Sequence, residues 1–473
     1  MADEIHALCF LTLYDLAERI RTRQVSPVEV VQAHLDRCER LNPVLNAFVT
    51  LAPEHALEAA HQAEQEIAAG QYRGPLHGIP LGIKDIFDTA GIRTTHGSSF
   101  YRDNIPAEDA ASVTLLKQAG AIVLGKCNTH EFAAGSTSNN PWYGPSRNPW
   151  DTSRSPGGSS GGSGAAVAAF LCPGATGTDT GGSIRNPAAC NGIVGLKPTY
   201  GRVSLKGIYP NAISLDHPGP LTRTVRDAGL FLQGMAGYVR DDPTSVDVPV
   251  PDLTADIDAG VKGMRFGFCP DLHFGELDDA VATGLEDTGR TLQDLGANLE
   301  TVPFGLKDIV HETRQAIHMA EFGALHRERF RQQPEGYGAD VRETLQHRAQ
   351  VSADAYVLAT QRRHQLRRAF DELLQEVDAL LIPSAPCVAP LIEDGTSSIN
   401  GKIVNFGEVG VPMRQPINVV GLPSLAVPMG FSGGLPISVQ IIGPAWSEGK
   451  LIRIGHAYEQ ATPGLRQQRP PHS

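Results

Sequence analysis

Paired cysteines are missing from this sequence. Its seven cysteines, Cys9, Cys38, Cys127, Cys172, Cys190, Cys269 and Cys387, show no Cys-x-x-Cys spacing. That argues against a zinc site or a disulfide framework and for a reducing compartment. A His-Glu-x-x-His run is absent too: His130-Glu131 is followed by Phe-Ala-Ala-Gly, with no second histidine to complete a metalloprotease site. No stretch reaches the roughly 18 apolar residues that a membrane-crossing helix requires. The opening MADEIHALCF lacks the basic and apolar segments of a secretory signal, so the expected location is cytoplasmic. Positive charge is in deficit. With a net charge of −12, neither nucleic acid nor an anionic membrane is the default partner. A metal-free protein without a cofactor is expected, as a monomer or a homodimer.

What is present is an ordinary globular composition: 473 residues, 41% hydrophobic and 19% charged. Ser26-Pro27-Val28-Glu29 predicts a capped helix start. Val28, Val31, Leu35 and Cys38 carry that helix to about Leu41 at helical spacing. A second helix is predicted from about Pro53 to Ala69, making residues 1–70 a helical flank. From Gly78, across the core segment 71–240, short apolar runs bounded by glycine and proline take over. They are IPLGIKDIF, AIVLG and IVGLKP, and later ALLIPSAP, SLAVPMGF and ISVQIIGP. These read as buried strands, alternating with helices such as Ala111–Ala119. Residues 306–380 turn helical and rich in Arg, Gln and Glu, before strands and a helix return over 381–473. No repeat or flexible linker divides the chain. The pattern predicts one α/β domain over 1–473, a central twisted mixed sheet covered by helices.

The stretch SPGGSSGGSGAAVAAF, from Ser155 to Phe170, allows three readings. An open linker fails because apolar residues 165–171 follow at once, as in a buried helix whose free N–H groups face the loop. A phosphate-binding loop fails because Gly162-Ser163-Gly164 stands where Lys-Ser/Thr belongs. Gly158-Ser159-Ser160-Gly161-Gly162 does match G-x-S-x-G, with Ser160 in the nucleophile slot. That elbow needs a strand immediately before it, and the preceding NPWDTSRSP is polar and proline-bounded.

Downstream lies GTDTGGSIRNPAACNGIVGLKPTYGR, from Gly177. Thr180-Gly181-Gly182 precede Ser183, and the two glycines let backbone amides turn toward a developing oxyanion. Lys84 is flanked by Leu81, Ile83 and Ile86, and burial lowers a lysine pKa. To act as a base near neutral pH, that pKa must fall from roughly 10.4 to near 7, about 4 kcal/mol. A serine nucleophile needs such a base, and an intervening hydroxyl can relay the proton.

Together these segments resemble the amidase signature family. HGIPLGIKDIFDTAG, AGAIVLGKCNTHEFAAG, NPWYGPSRNPWD, INVVGLPSLAVPMGF and LPISVQIIGP fit as well, covering most of the chain outside about 240–390. The resemblance implies hydrolysis of amide C–N bonds through an acyl-enzyme on Ser183. Lys84 is then the base, and Ser159, after a cis peptide at Gly158, the bridging serine. It also implies oxyanion amides at Thr180, Gly181, Gly182 and Ser183, with Ser160, Asp179 and Arg185 in support.

Within the family, the resemblance extends to the A subunits of tRNA-dependent amidotransferases, which hydrolyse glutamine. Those proteins carry a Lys-Arg-Arg run whose arginine holds the glutamine carboxylate. The aligned residues here are Arg342-Glu343-Thr344, and Val411 stands where an acidic residue meets the α-amine. Arg342 and Arg414 are the arginines left to compensate. The expectation is a stand-alone amidase for a small or medium, largely apolar amide, anilide, carbamate or ester. Its pocket is expected from Thr129 to Ser138, including Gly135, Ser136 and Thr137, from Trp142 and Tyr143, and from residues 306–415. The alternatives are a non-catalytic scaffold and the glutaminase component of an amidotransferase.

Overall fold

In the computed structural model, which describes residues 7–473, the apolar runs form strands of one 11-stranded sheet. In chain order these are β1 (Phe48–Leu51), β2 (Pro80–Lys84), β3 (Ile122–Cys127), β4 (Gly174–Asp179), β5 (Val194–Lys197) and β6 (His217–Thr222). They continue with β7 (Arg265–Phe268), β8 (Asn298–Thr301), β9 (Ala379–Pro383), β10 (Ser424–Ser432) and β11 (Leu435–Ile442). Across the sheet the order is β1-β3-β2-β4-β6-β5-β10-β11-β9-β7-β8. Strand β2 is parallel to β3 and β4, β9 is parallel to β7, and the run from β4 to β11 pairs antiparallel. The sheet is mixed, as predicted. Along β3, Ile122 and Leu124 pack into one apolar cluster and Val123 into another. Both faces are therefore covered, which is why such strands read as unbroken apolar runs rather than as alternation.

Two central strands escape that pattern. β4, GATGTD, offers no apolar side chain larger than alanine. β6, HPGPLT, carries two prolines, which ordinarily argue against a central strand. β5 meets β6 only at Leu221 and Thr222, so Pro218 and Pro220 pair with β4 alone.

The expected cap at Ser26 is present: Val28 N donates to Ser26 Oγ at 3.0 Å, and Ser26 N donates to Glu29 Oε2 at 2.8 Å. Helix α1 (Pro27–Leu45) runs past Leu41 and stops where Asn46 turns left-handed, at φ 48°. Helix α2 (Gly161–Ala168) is buried throughout and packs on the sheet, and α3 (Arg185–Asn191) follows the second serine segment. A Cβ on Gly162 would stand 2.4 Å from the carbonyls of Ala47 and Asn128, so only glycine admits that approach. Residues 306–380 are helical as expected, forming two long helices, α4 (Lys307–Gln332) and α5 (Ala353–Glu376), joined by short helical segments. Both pack against α6 (Phe406–Val420). Among the described residues no helix is long and apolar enough to cross a membrane.

Candidate active site

Because β2 and β4 are neighbours, the end of β2 brings Lys84 beside Thr178 near the end of β4. Lys84 Nζ donates to Ser159 Oγ and to Thr178 Oγ1, each at 2.7 Å. Lys84 and Ser159 are both inaccessible to solvent. Burial pushes the Lys84 ammonium down to about 7, against the opposing pull of Asp216 and Asp179. That is the range in which a lysine exchanges protons at neutral pH. A rate that depends on neutral Lys84 is expected to rise about tenfold per pH unit below about pH 7 and to level off above it. A profile of kcat/KM against pH checks this. A rise extending to pH 9–10 would mean an unshifted lysine.

The Gly158–Ser159 peptide is cis, as the resemblance implied. Its downstream carbonyl, Ser159 O, accepts from Thr129 Oγ1 and Ser138 Oγ at 2.9 Å each, and from His130 N at 3.2 Å. Ser160 occupies the N-cap position of α2 without capping it. Its Oγ instead exchanges 3.3 Å hydrogen bonds with the backbone of Thr178. No strand runs directly into it, so the G-x-S-x-G match lacks its elbow.

Ser183 follows β4 and is half-buried in the lining of a cavity of about 490 Å³. Among the described residues no hydrogen bond joins its Oγ to Ser159, whose Oγ is held by Lys84; such contacts tighten when substrate is present. One of the four expected oxyanion amides is already engaged: Gly182 N donates to Asp179 Oδ1 at 2.7 Å. The carboxylate claims that amide because Gly182, at φ 122°, turns it inward. The free amides of the set are those of Thr180, Gly181 and Ser183.

Asp179 and Arg185 brace this turn. Arg185 Nη2 and Nε reach the two Asp179 oxygens at 2.9 and 3.1 Å, and Ile184 N donates to the same carboxylate at 3.1 Å. Burial alone would raise the Asp179 carboxyl, but the Arg185 guanidinium, with Lys197 and Asn418, outweighs it and holds the acid well below the usual carboxylate range. Asn418 Nδ2 adds a bond to Asp179 at 2.8 Å, while Arg185 also donates to Asn418 and Gln440. Removing the cation strands a buried charge, so Arg185→Met is expected to destabilise the fold by about 3–5 kcal/mol. Denaturant midpoints measure it, and a loss below about 1 kcal/mol would deny Arg185 its bracing role.

The cavity lining differs from the expected pocket. Gly135 and Ser136 contribute, whereas Thr137, Trp142 and Tyr143 do not. Trp142 Nε1 donates to Glu131 Oε1 at 2.7 Å and Tyr143 Oη to Ser98 O at 3.2 Å, so both rings serve packing. Thr137 O accepts from Ser155 Oγ at 2.6 Å. Thr344 and Val411 do face the cavity, together with Arg314, Arg348, Arg414 and Glu408. Arg342 does not; it pairs with Glu335. This lining is more polar and more cationic than a pocket for an apolar acyl group. Sequence reasoning gave no role to Thr178, although it lies in the second serine segment, and missed Gln440 and Arg314, which reach the site only through long-range folding. A second cavity, of about 320 Å³, lies between Phe10, Phe170 and the C-terminal tail and holds none of these residues. Among the described residues no cluster of His, Cys, Asp and Glu is arranged to hold a metal ion.

Comparison with known proteins agrees with this architecture. The amidase family profile matches residues 29–452. The A subunit of glutamyl-tRNA(Gln) amidotransferase from Methylococcus capsulatus is 43% identical over 479 residues, covering 95% of this chain and 97% of its own. A chain solved from a vestigial protein complex that bears on the origins of an s-triazine catabolic enzyme superposes with a TM-score of 0.91. It is 32% identical, covering 96% of this chain and 98% of its own. A bacterial aryl acylamidase of the amidase signature enzymes superposes with a TM-score of 0.88 at 28% identity, covering 97% and 99%. With the profile spanning nearly the whole chain and the fold shared from end to end, this protein belongs to the amidase signature family, enzymes that act on amide C–N bonds.

Proposed function

We propose that the chain hydrolyses a carboxamide through an acyl ester on Ser183. The observation that carries this is the buried Lys84, held 2.7 Å from Ser159 Oγ with its pKa lowered to about 7. Neutral Lys84 takes the Ser159 proton while Ser159 takes that of Ser183, whose Oγ attacks the carbonyl carbon. The amides of Thr180, Gly181 and Ser183 receive the oxyanion. Collapse breaks the C–N bond, and the Lys84 proton returns through Ser159 to the departing nitrogen. Water then attacks the ester by the same relay, freeing the acid and restoring Ser183.

A second reading is favoured by the 43% identity to the A subunit of an amidotransferase: here glutamine is the amide, and the ammonia passes to a partner protein. Against it stand Thr344 and Val411, uncharged cavity residues in the segments where the family resemblance implies charged groups for the amino acid. Glutamine and a panel of amides, anilides and carbamates separate the two. Turnover of the panel by the purified chain, with glutamine inert, supports the stand-alone amidase. Glutamine hydrolysis that appears only with a co-purifying partner supports the amidotransferase component.

A further inference from the structure

Two guanidinium groups flank the turn that carries the oxyanion amides. A Cβ built on Gly181 would stand 2.8 Å from Arg314 Nη2, and one built on Gly182 would stand 2.5 Å from Arg414 Nε. Arg314 comes from α4 and Arg414 from α6, and both line the cavity with Ser183. The Nε of each is shut off from solvent and has no hydrogen-bond partner.

Their circumstances then differ. Arg414 Nη1 donates to Ser384 O at 2.5 Å, and its guanidinium lies 5.8 Å from the Phe406 ring, so it is tied into the wall. Among the described residues the Arg314 guanidinium makes no hydrogen bond or ion pair. Asp216 is the acid that acts on it electrostatically, and that carboxylate accepts instead from Thr180 Oγ1 at 2.5 Å and from the amides of Asn211 and Ala212. Arg314 is half-buried with its Nε shut off from solvent and unpaired, and a partly desolvated cation without a hydrogen-bonded acid favours an incoming anion. A planar guanidinium fork suits a carboxylate best.

We propose that Arg314 selects the substrate, binding a carboxylate that the amide carries a few bonds from its scissile carbonyl. This rests on the assignment of Ser183 as nucleophile. The short reach follows from the packing of Arg314 against Gly181: a carboxylate paired there sits beside the oxyanion position. Monoamides of short dicarboxylic acids are the class that fits. The anion contact thus comes from α4, while the cavity-lining position 344 is a threonine.

Protection of Ser183 from a fluorophosphonate tests this, with succinamate and butyramide as competitors that differ by one carboxylate. Succinamate is expected to halve the labelling rate at a concentration at least about tenfold below that of butyramide. In Arg314→Gln the two are expected to protect within about twofold of each other. Arg314→Lys, which keeps the charge but not the fork, is expected to fall between, and it reads the same effect independently of how well the Gln variant folds. Equal protection in the wild type, or a preference that survives in both variants, overturns the role of Arg314 and leaves Ser183 standing. A wild-type protein that resists the probe altogether overturns both.

Discussion

Ser183→Ala is expected to lower amide turnover by about four to six orders of magnitude while the protein remains folded. The side chain is half-buried in the cavity lining, so trimming its hydroxyl removes the proposed attacking oxygen and little packing. No neighbour can substitute. Ser159 is fully buried beneath the cavity with its Oγ held by Lys84, and the Ser160 hydroxyl is turned to the Thr178 backbone. Single-turnover assays on any amide the wild type accepts give the number. A variant retaining more than about a hundredth of the activity would shift the nucleophile elsewhere.

Lys84→Met is expected to slow hydrolysis by about 10²–10⁴-fold and to flatten the pH profile near 7. It also has a signature in stability that a merely structural lysine would not give. Burial lowers this pKa from 10.5 to about 7, so the folded state disfavours the charged form. The penalty is fully present below about pH 7 and fades as pH rises toward the unfolded value. The methionine variant escapes it. Its unfolding free energy relative to wild type is therefore expected to move by about 3 kcal/mol in favour of the wild type between pH 7 and pH 10. Denaturant midpoints at the two pH values measure this. A constant difference would mean that Lys84 titrates normally.

The family was more legible in the sequence than the surroundings of the proposed site. Ser159 lies in a glycine-serine segment whose composition fits no linker and no phosphate loop, Ser183 follows two glycines, and Lys84 sits in an apolar run, while the strand pattern around them pointed to a mixed α/β sheet. β4 and β6 were hidden because side chains such as Phe231 and Ile184 press directly on their glycines, so these buried strands are built largely from Gly, Thr and Pro. The Gly182 amide could not be seen to serve Asp179 before the fold fixed its direction. Trp142 and Tyr143 looked like pocket walls because aromatic side chains suit either role. Arg314 was least visible. On a polar helix such as α4 an arginine reads as solvent-facing, and only the packing of α4 against α6 lays it on Gly181.

The site of covalent attack tests the central claim most directly. The wild-type protein is treated with a fluorophosphonate, digested, and its modified peptide sequenced by mass spectrometry. A single adduct on Ser183, forming faster as pH rises through 7, is the result predicted by a Lys84–Ser159–Ser183 relay. An adduct on Ser159 or Ser160, or none at all, would contradict it.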